Sequence, residues 1–319
     1  MRAAAGGTLA QWLGLRVSAQ QPAGIGPGTR AGHGMAYHAG HAAICLVGGD
    51  RDGGDVAREQ GWFWDGTRWA IRSTGEPKGS TTLPGVASDP ERKSVLIFGG
   101  LTILGPRKYG PPSGELWELD AQSAWQRRTP DGPGPGPRHH HAMAFDSRRG
   151  RLVVYGGIDG DERWPQDVWE WDRTRWHRLQ PDRNPGDRAH HAMAYDSARG
   201  VVVLRGGTRK ERGNYPADTW EWDGLAWRLA AADGPGPGNG YRMAYDAERK
   251  VTVLFGGETC LWDGKTWTRV TPSDSPLSRA VHGLAYDPVR QRVVLYGGSR
   301  ENNRLSDLWE WDGRTWIAR

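Results

Sequence analysis

The 319-residue sequence contains only two cysteines, Cys45 and Cys260, and no long apolar run. Two cysteines cannot build a disulfide framework or a zinc site with four thiolate ligands. The longest apolar run, Ala42–Val47, is far shorter than the roughly 20 residues of a membrane-spanning helix. The N-terminal residues also lack the apolar stretch of a secretory signal. These absences predict a cytoplasmic protein that does not contact a membrane.

A block of like charges is also absent. The 42 lysines and arginines exceed the 37 acidic residues by a formal charge of +5, but both kinds are spread along the whole chain. Nucleic-acid-binding proteins usually concentrate their basic residues in one patch or run. The charge pattern therefore predicts a solvated surface and no nucleic-acid partner.

Phenylalanine is scarce, with 4 residues against 18 tryptophans, and the tryptophans are part of a repeat. Six Gly-Gly pairs recur every 41 to 57 residues, each at the end of a short apolar run such as VVVLRGG. A segment of the type MAYD precedes each run, and an acidic-aromatic unit such as TWEWDGLAW follows each pair. Self-similarity at a fixed period indicates a repeat architecture. The Gly-Gly pairs begin at Gly48, Gly99, Gly156, Gly206, Gly256 and Gly297.

Each repeat predicts four short strands, which we label a to d. Strand a is the MAYD segment, and strand b is the β-branched run that ends in Gly-Gly. Strand c alternates, as in Trp169-Glu170-Trp171, so that both indoles lie on one face. Asp-Gly hairpins, such as the one at Asp223, then lead into strand d, which opens with the last tryptophan. Six such sheets bury their faces only by packing radially, which predicts an all-β, six-bladed β-propeller.

The repeat resembles the Kelch-repeat β-propellers, which are related to the galactose oxidase-like propellers. The resemblance rests on Gly-Gly ending strand b, an aromatic-Asp pair in strand c, a later tryptophan in strand d and an Arg-x-x-His lead into strand a. It covers about residues 28–319, which we expect to form one propeller domain of four-stranded antiparallel blades. It implies that strand a lines a central channel and that the d–a connectors and b–c loops form the ligand-binding mouth.

Two segments, one near each end of the sequence, could form the outer strand of blade 6. Residues 1–27 contain a segment from Trp12 that resembles an additional strand d, and Trp316 begins the last repeat's own strand d. Rings of this type close when a terminal strand completes the last blade. We expect one of these two strands to complete blade 6 and the other to lie outside it.

The Arg-x-x-His residues at the mouth support two hypotheses. Each arginine and histidine could stabilise its own blade by satisfying backbone carbonyls. Alternatively, the arginines could form a ring of guanidinium groups that binds carboxylates or phosphates. The pairs are Arg30/His33, Arg138/His141, Arg188/His191 and Arg279/His282.

Repeat 5 breaks this pattern and is the best candidate for an asymmetric site. It has Gly238, Tyr241 and Arg242 in the lead segment, and only Glu258 and Thr259 between the Gly-Gly pair and strand c. The long b–c loop of repeat 2 could cover this notch from the opposite side. Ligands usually bind at variable loops on a rigid scaffold. We therefore expect Tyr241, Arg242 and Glu258, with Arg188, Arg279, His191 and His282, to surround an anionic ligand.

Two functions remain open. The first is a recognition module that binds an acidic peptide or an anionic small molecule through Arg30, Arg138, Arg188, Arg242, Arg279, His141 and Tyr241. The second is a metal-independent isomerase or lyase that acts on an anionic metabolite, with acid–base groups among His191, His282, Tyr241 and Glu258. Neither cysteine lies in a motif that matches a galactose oxidase-like copper site. We expect no metal and no other cofactor.

Overall fold

The computed structural model describes residues 26–51, 60–74, 81–105, 108–236 and 240–319. In these residues the chain forms six four-stranded antiparallel sheets, and each sheet takes its strands a to d in sequence order. The prediction of an all-β propeller with six antiparallel blades is confirmed. No helix capable of spanning a bilayer occurs in the described ranges.

The blade strands lie where the repeat predicts them. In the order a to d they are Gly34–His38, Ala43–Val47, Gln60–Trp64 and Trp69–Thr74 in blade 1; Gly85–Asp89, Ser94–Phe98, Leu116–Leu119 and Trp125–Arg127 in blade 2; Ala142–Asp146, Arg151–Tyr155, Val168–Trp171 and Trp176–Leu179 in blade 3; Ala192–Asp196, Val201–Arg205, Thr219–Trp222 and Trp227–Ala231 in blade 4; Arg242–Asp246, Val251–Phe255, Thr259–Trp262 and Trp267–Val270 in blade 5; Gly283–Asp287, Arg292–Tyr296, Leu308–Trp311 and Trp316–Ala318 in blade 6.

In blades 1 to 3, short additional strands pair the d–a connector with the b–c loop of the same blade, and in blades 4 and 6 an isolated β-bridge does so. In blade 3, for example, Arg138 pairs with Asp159. This pairing brings the connectors and the b–c loops to one face of the ring, as expected. The additional strands are Arg30–Ala31, Asp50–Arg51, Thr81–Thr82, Leu101–Gly105, Lys108–Pro112, Arg138–His139, Ile158–Asp159, Ser299–Arg300 and Asn303–Arg304.

Tryptophans fill the spaces between blades. Twelve of the sixteen repeat tryptophans are buried, and the other four are partly buried. Several also donate a hydrogen bond from Nε1 to the strand c glutamate of the preceding blade. Examples are Trp222 to Glu170 at 2.8 Å and Trp262 to Glu221 at 3.2 Å. A buried indole N–H usually finds such a partner.

Blade 1 packs directly on blade 6. Trp64 donates to Glu310 at 3.0 Å, and residues of both blades share one apolar cluster. The chain's last strand, Trp316–Ala318, is the outer strand of blade 6. The Trp12 segment lies outside the described residues. Cys45 and Cys260 are both buried, in blades 1 and 5.

Candidate functional site

The arginines of the Arg-x-x-His pairs bind the backbone of their own blades. Each Nη1 donates to the carbonyl of the first glycine in that blade's Gly-Gly pair, at 2.8 to 3.2 Å. All four side chains are buried, and the Arg188 side chain is 0% exposed. The donor and acceptor pairs are Arg30 with Gly48, Arg138 with Gly156, Arg188 with Gly206, and Arg279 with Gly297.

Three of these arginines also bind a carboxylate at the beginning of strand c. Arg188 contacts Asp218 at 3.0 Å, and Asp218 in turn accepts a hydrogen bond from Trp220 at 2.7 Å. Burial alone would raise the pKa of Asp218, but the hydrogen bond and charge of Arg188 lower it below its ordinary value. Arg138 with Asp167 and Arg279 with Asp307 repeat the arrangement. These contacts match the hypothesis that the arginines stabilise their blades.

The paired histidines lie between neighbouring blades. His191 packs edge-on against Tyr155 of blade 3, with ring centroids 5.8 Å apart. Burial, followed by the nearby Arg138, lowers the pKa of His141 to about 3, and the pKa values of the other three are lowered as well. None of these ring nitrogens makes a hydrogen bond of normal geometry to a described residue. Three of the rings, those of His33, His141 and His191, line the narrow waist of the channel.

Strand a begins with glycine or alanine in every blade except blade 5. The small residues are required because the waist is crowded: a Cβ on Gly34 would lie 2.0 Å from Val86 Cγ2, and one on Gly283 would lie 2.2 Å from Met35 Sδ. In blade 5 the same position is Arg242. One guanidinium group therefore enters a channel whose other described lining residues are small or apolar side chains and imidazoles. The small residues are Gly34, Gly85, Ala142, Ala192 and Gly283.

Arg242 differs from the blade arginines in having no carboxylate partner among the described residues. Among the described residues, Arg242 donates one hydrogen bond, from Nη1 to the carbonyl of its neighbour Tyr241, at 3.1 Å. It lines a cavity of about 90 Å³ whose described lining contains no aspartate or glutamate. Burial lowers the pKa of Arg242 to about 10, so the side chain is still a cation at neutral pH. The waist thus holds a positive charge that the described residues leave without a counter-ion.

Two further histidines stand beside Arg242 at the top of the waist. His140 and His190 occupy equivalent turns of blades 3 and 4, with φ of +55° and +58°. Their ring centroids are 3.7 Å apart, and the His190 amide donates to the His140 carbonyl at 2.9 Å. Burial, and then the charge of Arg242, lowers the pKa of His190 to about 4. Both rings are therefore neutral at pH 7.

A wider cavity of about 380 Å³ opens above the waist, over blades 6, 1 and 2. The long b–c loop of blade 2 supplies Tyr109, whose hydroxyl donates to Asp50 at 2.5 Å. Arg304 from blade 6 binds the same carboxylate. Burial raises the pKa of Tyr109, as does its bond to Asp50. We call this space the mouth cavity; its wall also includes His140, Ser299 and Asn302.

The other predicted residues of repeat 5 that the structure describes do not line the cavity that Arg242 lines. Tyr241 donates to the Gly236 carbonyl at 3.0 Å and packs in the blade 4–blade 5 core. Glu258 is exposed and pairs with Arg269 at 2.7 Å. Gly238 lies outside the described residues. Of the predicted set, the structure brings Arg242 together with His141 and His191 at the waist, whereas Arg188 and Arg279 face into their blades.

Sequence reasoning missed His140, His190, Tyr109, Asp50 and Arg304. The signal for the two histidines is visible in the repeat: the second x of Arg-x-x-His is glycine, leucine or valine in the other blades. The contact of Tyr109 with Asp50 joins loops of different blades and has no equivalent signal.

Comparison with known proteins identifies the repeat. The family model described as the KLHDC2/KLHL20/DRC7 Kelch-repeats domain matches residues 85–262. The chain is 37% identical over 93 residues to serine/threonine-protein phosphatase BSL2 of Arabidopsis thaliana, a match covering 28% of this chain and 9% of that protein. It is 31% identical over 88 residues to dynein regulatory complex subunit 7 of Chlamydomonas reinhardtii, covering 27% and 7% respectively. The matches thus span less than a tenth of each relative.

A solved structure, titled "Structure of YjhT", shares the fold. The match has a TM-score of 0.70 and covers 93% of this chain and 99% of that one, at 12% sequence identity. At this identity the likeness concerns the fold and carries no statement about a ligand.

Proposed function

Because the chain belongs to the Kelch-repeat family, we propose that it is a recognition module that binds an anionic ligand at the face formed by its d–a connectors and b–c loops. Kelch domains generally mediate protein interactions, so the ligand is either an acidic segment of a protein or a small molecule that carries an acidic group. We propose that this binding occurs in the cytoplasm, where buried thiols such as that of Cys260 stay reduced.

The observation that carries this proposal is the charge of Arg242. A guanidinium group in a confined site normally pairs with a carboxylate or phosphate, as Arg188 does with Asp218. The described lining of the waist provides no such group. An anionic group of a ligand that enters from the mouth cavity would supply the missing counter-charge.

The test is the Arg242→Gln variant. We expect its affinity for the bound anion to fall about 10- to 100-fold, since a hydrogen bond to a charged group contributes about 1.5–3 kcal/mol and 1.4 kcal/mol is tenfold. Titration calorimetry with a panel of carboxylates, phosphate esters and acidic peptides measures the change. Arg212→Gln is the matched control, because Arg212 is exposed in the b–c loop of blade 4 and its loss changes the net charge equally.

A parent protein that binds no member of the panel would refute the proposal. So would an Arg242→Gln variant that binds as tightly as the Arg212→Gln control. The arginines of blades 3, 4 and 6 serve the proposal only indirectly, by holding the mouth in shape.

The contact of Tyr109 with Asp50 favours a second candidate, a metal-independent isomerase or lyase. A hydroxyl that donates to a buried carboxylate at 2.5 Å, on the wall of a cavity, is suited to proton transfer. Exchange of carbon-bound hydrogen for deuterium in a panel of hydroxy and keto acids, followed by NMR, tests this function. Tyr109→Phe should abolish the exchange, and Tyr215→Phe, at an exposed tyrosine of the blade 4 loop, should leave it unchanged.

A further inference from the structure

The close pair of His140 and His190, whose ring planes are tilted by 42°, is unexplained by blade stability. The other d–a connectors have glycine, leucine or valine at this position, and their backbones take the same left-handed conformation without an imidazole, as Leu83 and Val281 show at φ of +60° and +50°. The two rings therefore are not required by the fold. They lie next to the cation of Arg242, whose charge disfavours protonation of an imidazole.

The charges around the pair are almost all positive or neutral. From blade 3, the His139 ring contacts His140 through the two Nδ1 atoms, and His141 adjoins His140 on its other side along the chain. From blade 4, His191 adjoins His190, and from blade 5, Arg242 acts on both rings. The mouth cavity beyond His140 contains one acidic side chain in its described lining, Asp50, and that carboxylate is bound by Arg304 and Tyr109.

Resting on the proposed function, we propose that Arg242, His140 and His190 form a receptor for a doubly charged oxyanion group, a phosphate or sulfate, and that the anion binds together with one proton. His140 lines the mouth cavity, Arg242 lines the waist, and the His190 ring centroid lies 3.7 Å from that of His140. The guanidinium supplies one positive charge. A proton taken up by one of the two imidazoles supplies the second, which matches a dianion.

The direction in which anion affinity changes with pH follows from the protonation of the two imidazoles in the free protein. In the free protein, burial and the charge of Arg242 lower the pKa of both imidazoles, that of His190 to about 4. A bound dianion neutralises Arg242 and accepts a hydrogen bond from an imidazolium, which raises the pKa towards the ordinary 6.5. Affinity for a dianion should therefore rise as the pH falls from about 7.5 to about 5.5, by up to about tenfold per pH unit.

The probe is inorganic sulfate, because it stays doubly charged across this pH range and its own titration does not enter the result. Methyl sulfate has a similar shape with one negative charge, and phenyl phosphate tests an esterified phosphate against the free ion. Calorimetric titrations in two buffers of different ionisation heat give the number of protons taken up per anion. We expect about one proton for sulfate below pH 6.5 and fewer for methyl sulfate.

The variants are His140→Asn and His190→Asn, because asparagine tolerates the left-handed backbone of these turns. Each should weaken sulfate binding about tenfold at pH 5.5 and remove the proton uptake, while methyl sulfate binding changes little. His177→Asn, on the outer strand of blade 3, is the control. Arg242→Gln should weaken both anions.

Three outcomes would overturn the inference. Sulfate could bind without proton uptake, the asparagine variants could bind it as the parent does, or the parent could bind a carboxylate ligand but no dianion; in each case the proposed function stands. If the parent binds no anion of any kind, both proposals fail. Should an asparagine variant prove unstable, NMR of labelled histidines in the parent decides, since sulfate must raise the pKa of one of the two rings.

Discussion

Blades 4 and 5 follow the same backbone path but solve the same packing problem with different residues. Blade 4 has the full set of the repeat, with Arg188, His191, Ala192, Trp220 and Glu221 at the key positions. Where the structure describes the equivalent residues of blade 5, they are Tyr241, Arg242, Cys260 and Leu261.

The replacement of repeat residues also affects the contact between blades 4 and 5. At four of the other five blade boundaries, an aromatic residue that ends strand b packs against the next blade's histidine and strand d tryptophan, as Tyr155 does with His191 and Trp227. At the boundary of blades 1 and 2 the residue that ends strand b is Val47. At the boundary of blades 4 and 5 this residue is Arg205, whose guanidinium lies 5.2 Å from the ring centroid of Trp267. A cation–π contact replaces the contact between aromatic rings.

The comparison separates two uses of one residue type. Arg188 binds Asp218 and backbone carbonyls, so its charge is paired inside the blade. Arg242 takes a position that alanine fills in blade 4, and its charge faces a cavity. An arginine of the repeat is thus bound within its blade, whereas Arg242, which departs from the repeat, has no acidic partner among the described residues.

The largest expected effect distinguishes these two arginines by stability. Arg188→Ala leaves a half-buried carboxylate and two backbone carbonyls without their partner, and should lower the free energy of unfolding by about 3 kcal/mol. Arg242→Ala removes a cation that has no acidic partner among the described residues, and should change that free energy by less than about 1 kcal/mol. Urea denaturation measures both, with Arg212→Ala as the exposed control. Equal losses for the two variants would contradict the comparison.

A second effect concerns the histidine position, which is tyrosine in blade 5. The pKa of His141 in the folded protein is about 3, lowered by burial and by Arg138, against about 6.5 when unfolded. The unfolded state therefore takes up the proton first as the pH falls, so stability is complete above about pH 6.5 and declines towards pH 3. Each such histidine contributes a slope of about 1.4 kcal/mol per pH unit in this window.

His141→Gln should reduce this slope between pH 6 and pH 5, whatever its effect on stability at pH 7. Tyr241→Phe is the matched control, because burial raises the pKa of Tyr241 and it stays neutral throughout this range. Denaturant titrations at three pH values give the slopes. An unchanged slope in His141→Gln would mean that another group dominates the acid sensitivity.

The fold was predictable from the sequence because it is repeated six times. Gly-Gly illustrates why: the second glycine has φ near +93° in five blades, and a Cβ there would lie within 3.0 Å of a neighbouring atom, as at Gly207. Only glycine fits such a position. Because the backbone geometry requires glycine at this position in each repeat, the Gly-Gly pattern can be recognised from a single sequence.

Only part of the candidate site could be predicted from the sequence, because the candidate site consists of residues that depart from the repeat. Arg242 was predicted from its position, since the alignment that defines the repeat also shows where repeat 5 departs from it. The roles of Arg188 and Arg279 were not decided by the sequence, because Asp218 and Asp307 lie some 30 residues downstream and join them only after folding. The contact of Tyr109 with Asp50 likewise joins separate loops.

The smallest expected effect concerns Leu261, which blade 5 has in place of the strand c glutamate. In blade 4, Glu221 accepts a hydrogen bond from Trp262 of the next blade and binds Arg199 of its own. In blade 5 the same place is apolar, and the indole nitrogen of Trp311 is buried without a hydrogen-bond partner in the described residues.

Leu261→Glu should therefore supply an acceptor for Trp311 and a carboxylate for Arg249, which stands in the position of Arg199. The net gain is the new hydrogen bond less the lost apolar contact, about 0.5–1 kcal/mol in the free energy of unfolding. A double-mutant cycle with Trp311→Phe isolates the pair, since the gain must vanish when the indole N–H is absent. A glutamate that destabilises the protein equally with and without the Trp311 indole would show that blade 5 has lost the geometry of the repeat at this position as well as its residue.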